Sequence, residues 1–540
     1  MDSHKKNKFF PNAGSWALAC LFACVSVSPA NAQTGQPPLR PRIVVTADPE
    51  LDDLNSLIRF LLYSTDLRVE GLVYASSQFH WKGDGKGTLK SVPGREYNRF
   101  GLNICPCASW RWADNERFIH DAVDAYEKVY PNLKTHHPGY PAPDVLRSKI
   151  RYGNITFDGD ISEDSPGSDL IKALMLDNEP GPLFITAWGG QSTIARALKS
   201  IQEQYENTPA WATVREKIAR KVVLLPSGDQ DDTYAGYVKP NWPDIDYRQF
   251  TGGPNYAYGA QLGAKPQDSV YLTAAWMKTQ VSGRGPLGAM YRVWGDGKQM
   301  VKGDIFDYFG MSGYTGEQLK QMGYVVWMPV QEQGAWLGEG DTGTFMNMLD
   351  NGLRAWEAGA YGGWGGRQSD STPAFQFNND STRTDTTLAG MVNAISTLGA
   401  RMSGEADARQ FPNFFPAAQR DFAARLQWSV TPRFEDANHE PRVGIAGPAN
   451  IPVAPGEQLR LTGTASDPDG DALTVRWLQF PTGSYPGTVA LTNPESLSTA
   501  LVVPNDARPV QTIHLVLEVS DGGSPVLTRY QRVVLTVGKR

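Results

Sequence analysis

The segment RIVVTADPELDDLNSLIRFLLYS, residues 42 to 64, restricts the fold more than any other stretch of the chain. A short run of apolar and β-branched residues ends at Asp48-Pro49, and apolar side chains then recur at helical spacing. The run LRVEGLVYAS, from Leu67, follows at once as a second strand. Strand, helix and strand in this order form a βαβ unit, which requires a parallel sheet covered by helices. Three carboxylates, Asp48, Asp52 and Asp53, crowd the strand-to-helix turn and need an explanation.

The same alternation runs to about residue 430. GPLFITAW followed by GGQSTIARALKSIQEQY repeats strand, turn and helix; KVVLLPSG and GYVVWMPV read as further strands. DNERFIHDAVDAYEKVY reads as a helix, and TGTFMNMLDNGLRAWEAG, residues 342–359, as the last strong one. The expected fold class is therefore α/β, a mostly parallel sheet flanked by helices over residues 40–430. In such sheets ligands collect at the carboxyl ends of the strands.

Residues 431–450 are Pro-rich and aperiodic and read as a linker. Beyond them, residues 451–540 alternate apolar and polar side chains between turn signals, which predicts an all-β, Ig-like sandwich. Its turn SDPDGD, Ser466 to Asp471, suits either calcium or a plain tight turn, and Trp477 reads as core.

The N-terminus has a basic lead, an apolar run WALACLFACVSVS and the small-residue site ANA at Ala30 to Ala32. This predicts a secretory signal peptide over residues 1–32 and a secreted or periplasmic mature protein. No later stretch is long and apolar enough to predict a membrane span. With a net charge of -6 and no basic run after the first ten residues, nucleic acid and anionic membrane are poor partners. Fifteen Trp and 21 Tyr suit sugar faces or a large core equally. Outside the leader, Cys105 and Cys107 lack the second half of a zinc site and make a poor disulfide loop, so the pair reads as structural. Nothing in the sequence argues against a homo-oligomer.

The acidic turn has a plain reading, with Asp48 as N-cap, Pro49 as first helical residue and the other acids near the helix's positive end. Two unit charges about 4 Å apart nevertheless repel by roughly 4 kcal/mol at an effective dielectric near 20. A calcium ion, which takes six to eight hard oxygen ligands, reverses that sign.

VTADPELDD resembles the Asp-Thr-Asp-Pro-Gly-x-Asp-Asp fingerprint of the calcium-dependent nucleoside hydrolases, with Asp48, Pro49, Asp52 and Asp53 matching. Thr46 stands at the family's first Asp and Glu50 at its Gly. AWGGQSTIARA is similar to the family's Gly-Gly-Leu-Thr-Asn-x-Ala turn, where the residue before the glycines offers a carbonyl to the metal; here that is Trp188. GEGDTGTFMNMLD stands where the family brings in a distant Asp, here Asp341, although Gly340 replaces the His before it. With the leader and the added sandwich, the chain resembles more closely the subfamily described as cellulose-binding proteins of the Sde182 type.

The resemblance implies Ca2+ held by Asp48, Asp53, Asp341 and the Trp188 carbonyl, with Asp48 also activating a water on the metal for attack at the anomeric carbon. Asp52 then binds a sugar hydroxyl. Water attack without a covalent intermediate inverts the anomeric centre. An O-glycosidic leaving group needs a carboxylic acid, for which Glu332 and Glu339 are the candidates. Ser77, Gln78 and His80, at the end of the second strand, and Asn255 are the candidate substrate contacts; Trp81, Trp188 and Trp336 are candidate stacking surfaces. The expected function is a secreted, calcium-dependent glycosidase acting on extracellular, plant-type carbohydrate. The alternatives are a noncatalytic binder of cellulose or another polysaccharide, and a periplasmic nucleoside N-ribohydrolase.

Overall fold

A computed structural model describes residues 40–98, 102–369 and 411–538. The leader proposed for residues 1–32 lies outside them. Among the described residues, no helix is long and apolar enough to cross a membrane.

Six parallel strands form the central sheet: β1 (Arg42–Ala47), β2 (Arg68–Tyr74), β3 (Ile150–Tyr152), β4 (Leu183–Ala187), β5 (Val222–Pro226) and β6 (Asp246–Tyr247). Their spatial order is β3-β2-β1-β4-β5-β6. Every residue of β1, β4 and β5 is buried, as expected of strands covered on both faces. One apolar layer packs α1 (Leu51–Leu62) and the helices Phe118–His136 and Phe415–Val430 against one face. A second, built on Pro166–Leu176 and α2 (Ser192–Tyr205), covers the other.

From β1 the chain steps outward to β2 and β3, then returns to β4 on β1's opposite side. The loops after β1 and β4 therefore diverge to opposite faces and leave a crevice at their carboxyl ends. Asp48 follows β1 and Gly189-Gly190 follows β4, so the crevice is where both motifs meet.

Several sequence expectations give way. Residues 323–330 form no strand, and only Thr342–Met346 of the segment 342–359 is α-helical. The long helix near this end is Phe415–Val430, where the apolar pattern is diluted by Gln419, Arg420, Asp421 and Arg425. Cys105 and Cys107 are joined as a disulfide with their Cα atoms 4.6 Å apart, inside the range such bridges require. Asp48 does not cap α1; Glu50 stands at the N-cap position and makes no side-chain cap bond.

The second domain is a sandwich of a four-stranded and a three-stranded sheet over one apolar core that includes Trp477. It begins inside the expected linker, because Arg442–Ile445 already pairs with Gln458–Ser466. In the turn at 466–471, Asp469 gives both carboxylate oxygens to His439, while Asp467 caps the amides of Asp469 and Asp471. The two domains are pinned together through Asp421, which takes Arg529 at 2.6 Å and the Tyr63 hydroxyl at 2.8 Å. Main-chain bonds from Tyr530 and Arg532 to Asn351 and Gly352 extend the contact.

Candidate functional site

Asp48 is the centre of the crevice. Its side chain is fully buried, and its Oδ2 accepts from Ser77 Oγ and lies 3.3 Å from His80 Nδ1. Its Oδ1 is buried without a hydrogen-bond partner, as is His80 Nε2. A buried carboxylate oxygen left unpaired is costly and implies something missing from the protein's own set of partners.

The turn is drawn tight from within. The Asp48 amide donates to Asp53 Oδ1 at 3.0 Å, which swings the first turn of α1 back over the strand end. Asp52 accepts from the Tyr258 hydroxyl at 3.1 Å and from the Gly340 amide at 3.2 Å. The Gly-Gly turn after β4 is needed for close approach, since a Cβ on Gly189 would stand 2.7 Å from Asp48 Cγ. Gly340 is a like case: a Cβ there would meet Asp52 Oδ2 at 2.5 Å, so Asp52 occupies the space that a side chain at 340 would claim.

One residue joins the cluster that the motif alone did not assign. Glu50 shares a sphere of 4.8 Å with Asp48 and His80, and another with Asp52 and Asp53. It is partly exposed, whereas Asp48, Asp52, Asp53 and Asp341 are buried. A Glu replacing Gly, with no capping duty, at a turn already rich in acids was the available signal.

Burial is the largest cause that pushes Asp53, Glu50 and Asp341 well above the usual carboxylate range, and the charges of their acidic neighbours add to it. Asp52 is pushed up to about 6 by burial, against the lowering effect of the Tyr258 hydroxyl. Burial, then the charge of Arg111, lowers His80. Without a counter-charge the cluster therefore favours protonated carboxyls, because the protein's own groups do not neutralise all of them when ionised. Hard oxygen donors around an orphaned carboxylate oxygen are a set that can hold a metal ion.

Of the residues read from sequence, Asp48, Asp52, Asp53, Asp341, Ser77, Gln78, His80 and the Trp188 main chain come together here. The Trp188 carbonyl accepts from Gln230 Nε2 at 2.6 Å, and Gln78 is tied to the Gln230 carbonyl. Glu339 is placed differently. Its carboxylate takes Arg59 Nε at 2.7 Å and Nη2 at 2.5 Å, with Thr342 Oγ1 at 2.7 Å, all fully buried. Both oxygens are committed to the fold. Glu332 is exposed in the turn before Trp336. Asn255 accepts from its own loop at Ala257 and lines a separate small cavity with Asp268 and Phe415. Trp81, Trp188 and Trp336 are at most 1 % exposed, so none offers a face to a sugar.

Behind the carboxylates, α1 carries a polar seam that sequence reading missed. Asn55 donates to the carbonyls of Arg292 and Gly338, and Arg59 anchors Glu339 while lying 3.9 Å over the Phe422 ring. Asp52, Asn55 and Arg59 stand at core spacing on an otherwise apolar helix, and that spacing was the legible sign. Together they fix the loop 338–341 that presents Gly340 and Asp341.

A parallel sheet with its acidic crevice at β1 and β4 defines a nucleoside-hydrolase-like protein. The chain belongs to the family described as cellulose-binding Sde182, nucleoside hydrolase-like domain, whose model matches residues 42–368. Residues 458–537 match the C-terminal domain of the cellulose-binding protein Sde0182. Among solved structures, the chain is similar to a nucleoside hydrolase-related hypothetical protein from Saccharophagus degradans, described as associated with carbohydrate metabolism. That likeness has 23% identity and a TM-score of 0.63 and covers 92% of this chain and 100% of that one; at this identity it shows the fold. A short match to domains 4 and 5 of the S-layer protein SbsC, at 18% identity over 18% of this chain and 54% of that one, has a TM-score of 0.13 and carries no argument. No curated protein matches.

Proposed function

We propose that the protein is a secreted, calcium-dependent hydrolase of glycosidic bonds in extracellular carbohydrate. The observation that carries this reading is the buried, unpartnered Oδ1 of Asp48 among four further carboxylates. Asp48, Asp53, Asp341, Glu50 and the Trp188 carbonyl are the groups that would hold the ion. When bound, such an ion makes water more acidic and orients sugar hydroxyls.

The chain's own residues supply the rest. Ser77 and His80 fix Asp48 through Oδ2 and leave Oδ1 to take a proton from an attacking water. Asp52, held by Tyr258 and the Gly340 amide, would accept from a sugar hydroxyl. The surrounding negative charge favours the cationic, oxocarbenium-like transition state of glycosyl transfer. The leader motif and the family description as cellulose-binding support an extracellular carbohydrate partner.

A second reading, a noncatalytic polysaccharide-binding protein, is favoured by one specific observation. Glu339 is tied to Arg59 and position 340 is Gly, so neither supplies a leaving-group acid. Incubation with cello-oligosaccharides, aryl glycosides and nucleosides, with and without Ca2+, tests both. Sugar release abolished by Asp48→Asn supports the hydrolase. Calcium-dependent binding with no turnover of any substrate replaces it with the binding reading, and cleavage of nucleosides alone with a nucleoside hydrolase.

A further inference from the structure

The three tryptophans best placed by sequence to stack on sugars are buried, yet aromatic surface does reach solvent close to the crevice. Tyr258, whose hydroxyl holds Asp52, packs its ring parallel to Phe309 at 5.3 Å and edge-on to Trp327 at 5.1 Å. Trp327 is half-buried, and its indole N–H donates to the Phe306 carbonyl at 3.4 Å, which holds the ring in place. On its outer side Trp327 lines an open groove with Tyr314, Thr315, Glu317, Lys320 and Val330. Tyr314 is 42% exposed. The open groove has a volume of about 560 Å³.

We propose that this groove, next to the Asp52–Tyr258 pair, binds a neutral β-linked glucan chain, with Tyr314 and Trp327 as the stacking surfaces. Three observations carry it. One aromatic ring, that of Tyr258, lies between Trp327 of the groove and the Asp52 carboxylate of the acidic cluster. The groove wall is rigid, because Trp327, Tyr258 and Phe309 hold one another by face and edge contacts. The rim charges cancel: Lys320 Nζ lies 3.9 Å from Glu317 Oε2, which leaves donors and acceptors for hydroxyls but no net charge to select an ionic ligand. An exposed aromatic surface with a neutral polar rim matches the apolar faces and equatorial hydroxyls of an extended glucan.

The proposal rests on the carbohydrate reading above and extends it to one ligand class. The test is calorimetric titration of the full chain with cellohexaose and, separately, with Ca2+. Tyr314→Ala and Trp327→Ala are each expected to weaken cellohexaose binding about tenfold. Calcium binding by Tyr314→Ala should stay at the wild-type level, and Tyr314→Phe should retain oligosaccharide affinity. Tyr314 is exposed, so its variants keep the test sound even if Trp327→Ala folds poorly. Wild-type affinity in Tyr314→Ala and in a folded Trp327→Ala overturns the groove. Absence of cellohexaose binding in the wild type, with calcium binding intact, overturns the groove while leaving the metal site standing; absence of both removes the underlying reading as well.

Discussion

Replacing Arg59 by Met tests the polar seam that supports the carboxylate loop. The guanidinium makes two bonds to Glu339, at 2.7 and 2.5 Å, one to Gln419 at 2.5 Å and one to the Ala418 carbonyl at 3.2 Å, and neither member of the ion pair reaches solvent. Methionine keeps most of the apolar stem over Phe422 but leaves the Glu339 carboxylate buried without its cationic partner. Breaking a buried pair from one side costs about 3–5 kcal/mol. In a domain of this size that corresponds to a fall in Tm of roughly 6–10 °C, taking about 2 °C per kcal/mol. The double variant Arg59→Met, Glu339→Gln removes the uncompensated charge and should recover more than half of the loss. Thermal unfolding followed by circular dichroism reads both. A single variant within 2 °C of wild type, or a double variant no more stable than the single, would refute the reasoning.

Other perturbations have equally direct outcomes. Gly189→Ala pushes a methyl group into Asp48 and should lower calcium affinity at least tenfold while costing about 1–3 kcal/mol of stability; unchanged affinity by titration contradicts the tight-turn argument. Burial, with the charges of Arg532 and Arg354, pushes His514 of the sandwich down to about 3. The unfolded chain then takes up a proton near pH 6.5 that the folded chain refuses, so stability is lost as pH falls from about 6.5 towards 3, by up to about 1.4 kcal/mol per unit. Urea midpoints between pH 7 and 4 should fall more steeply for wild type than for His514→Gln; parallel slopes contradict it.

What the sequence made legible was local. Asp48, Asp52 and Asp53 lie within six residues, so a strand, a turn and one helical turn suffice to bring them together. Ser77, Gln78 and His80 follow from the rule that strand ends converge. Glu339 could not be read, because the partner that removes it from the acid role is 280 residues away on α1. Residues 323–330, apolar enough for a strand, instead supply Trp327 and Val330 to an irregular groove wall, where packing outweighs strand propensity. Helix Phe415–Val430 was hidden for the opposite reason: its Gln419, Asp421 and Arg425 are buried through partners on α1 and the sandwich, so polar residues stand where periodicity demands apolar ones.

Equilibrium titration of chelator-treated protein with Ca2+ tests the central claim most directly, comparing wild type with Asp48→Asn. The account predicts one saturable site per chain in wild type, with a matching rise in Tm, and its loss in the variant. Heat and Tm unchanged by Ca2+ in wild type, or equal binding by Asp48→Asn, would contradict it.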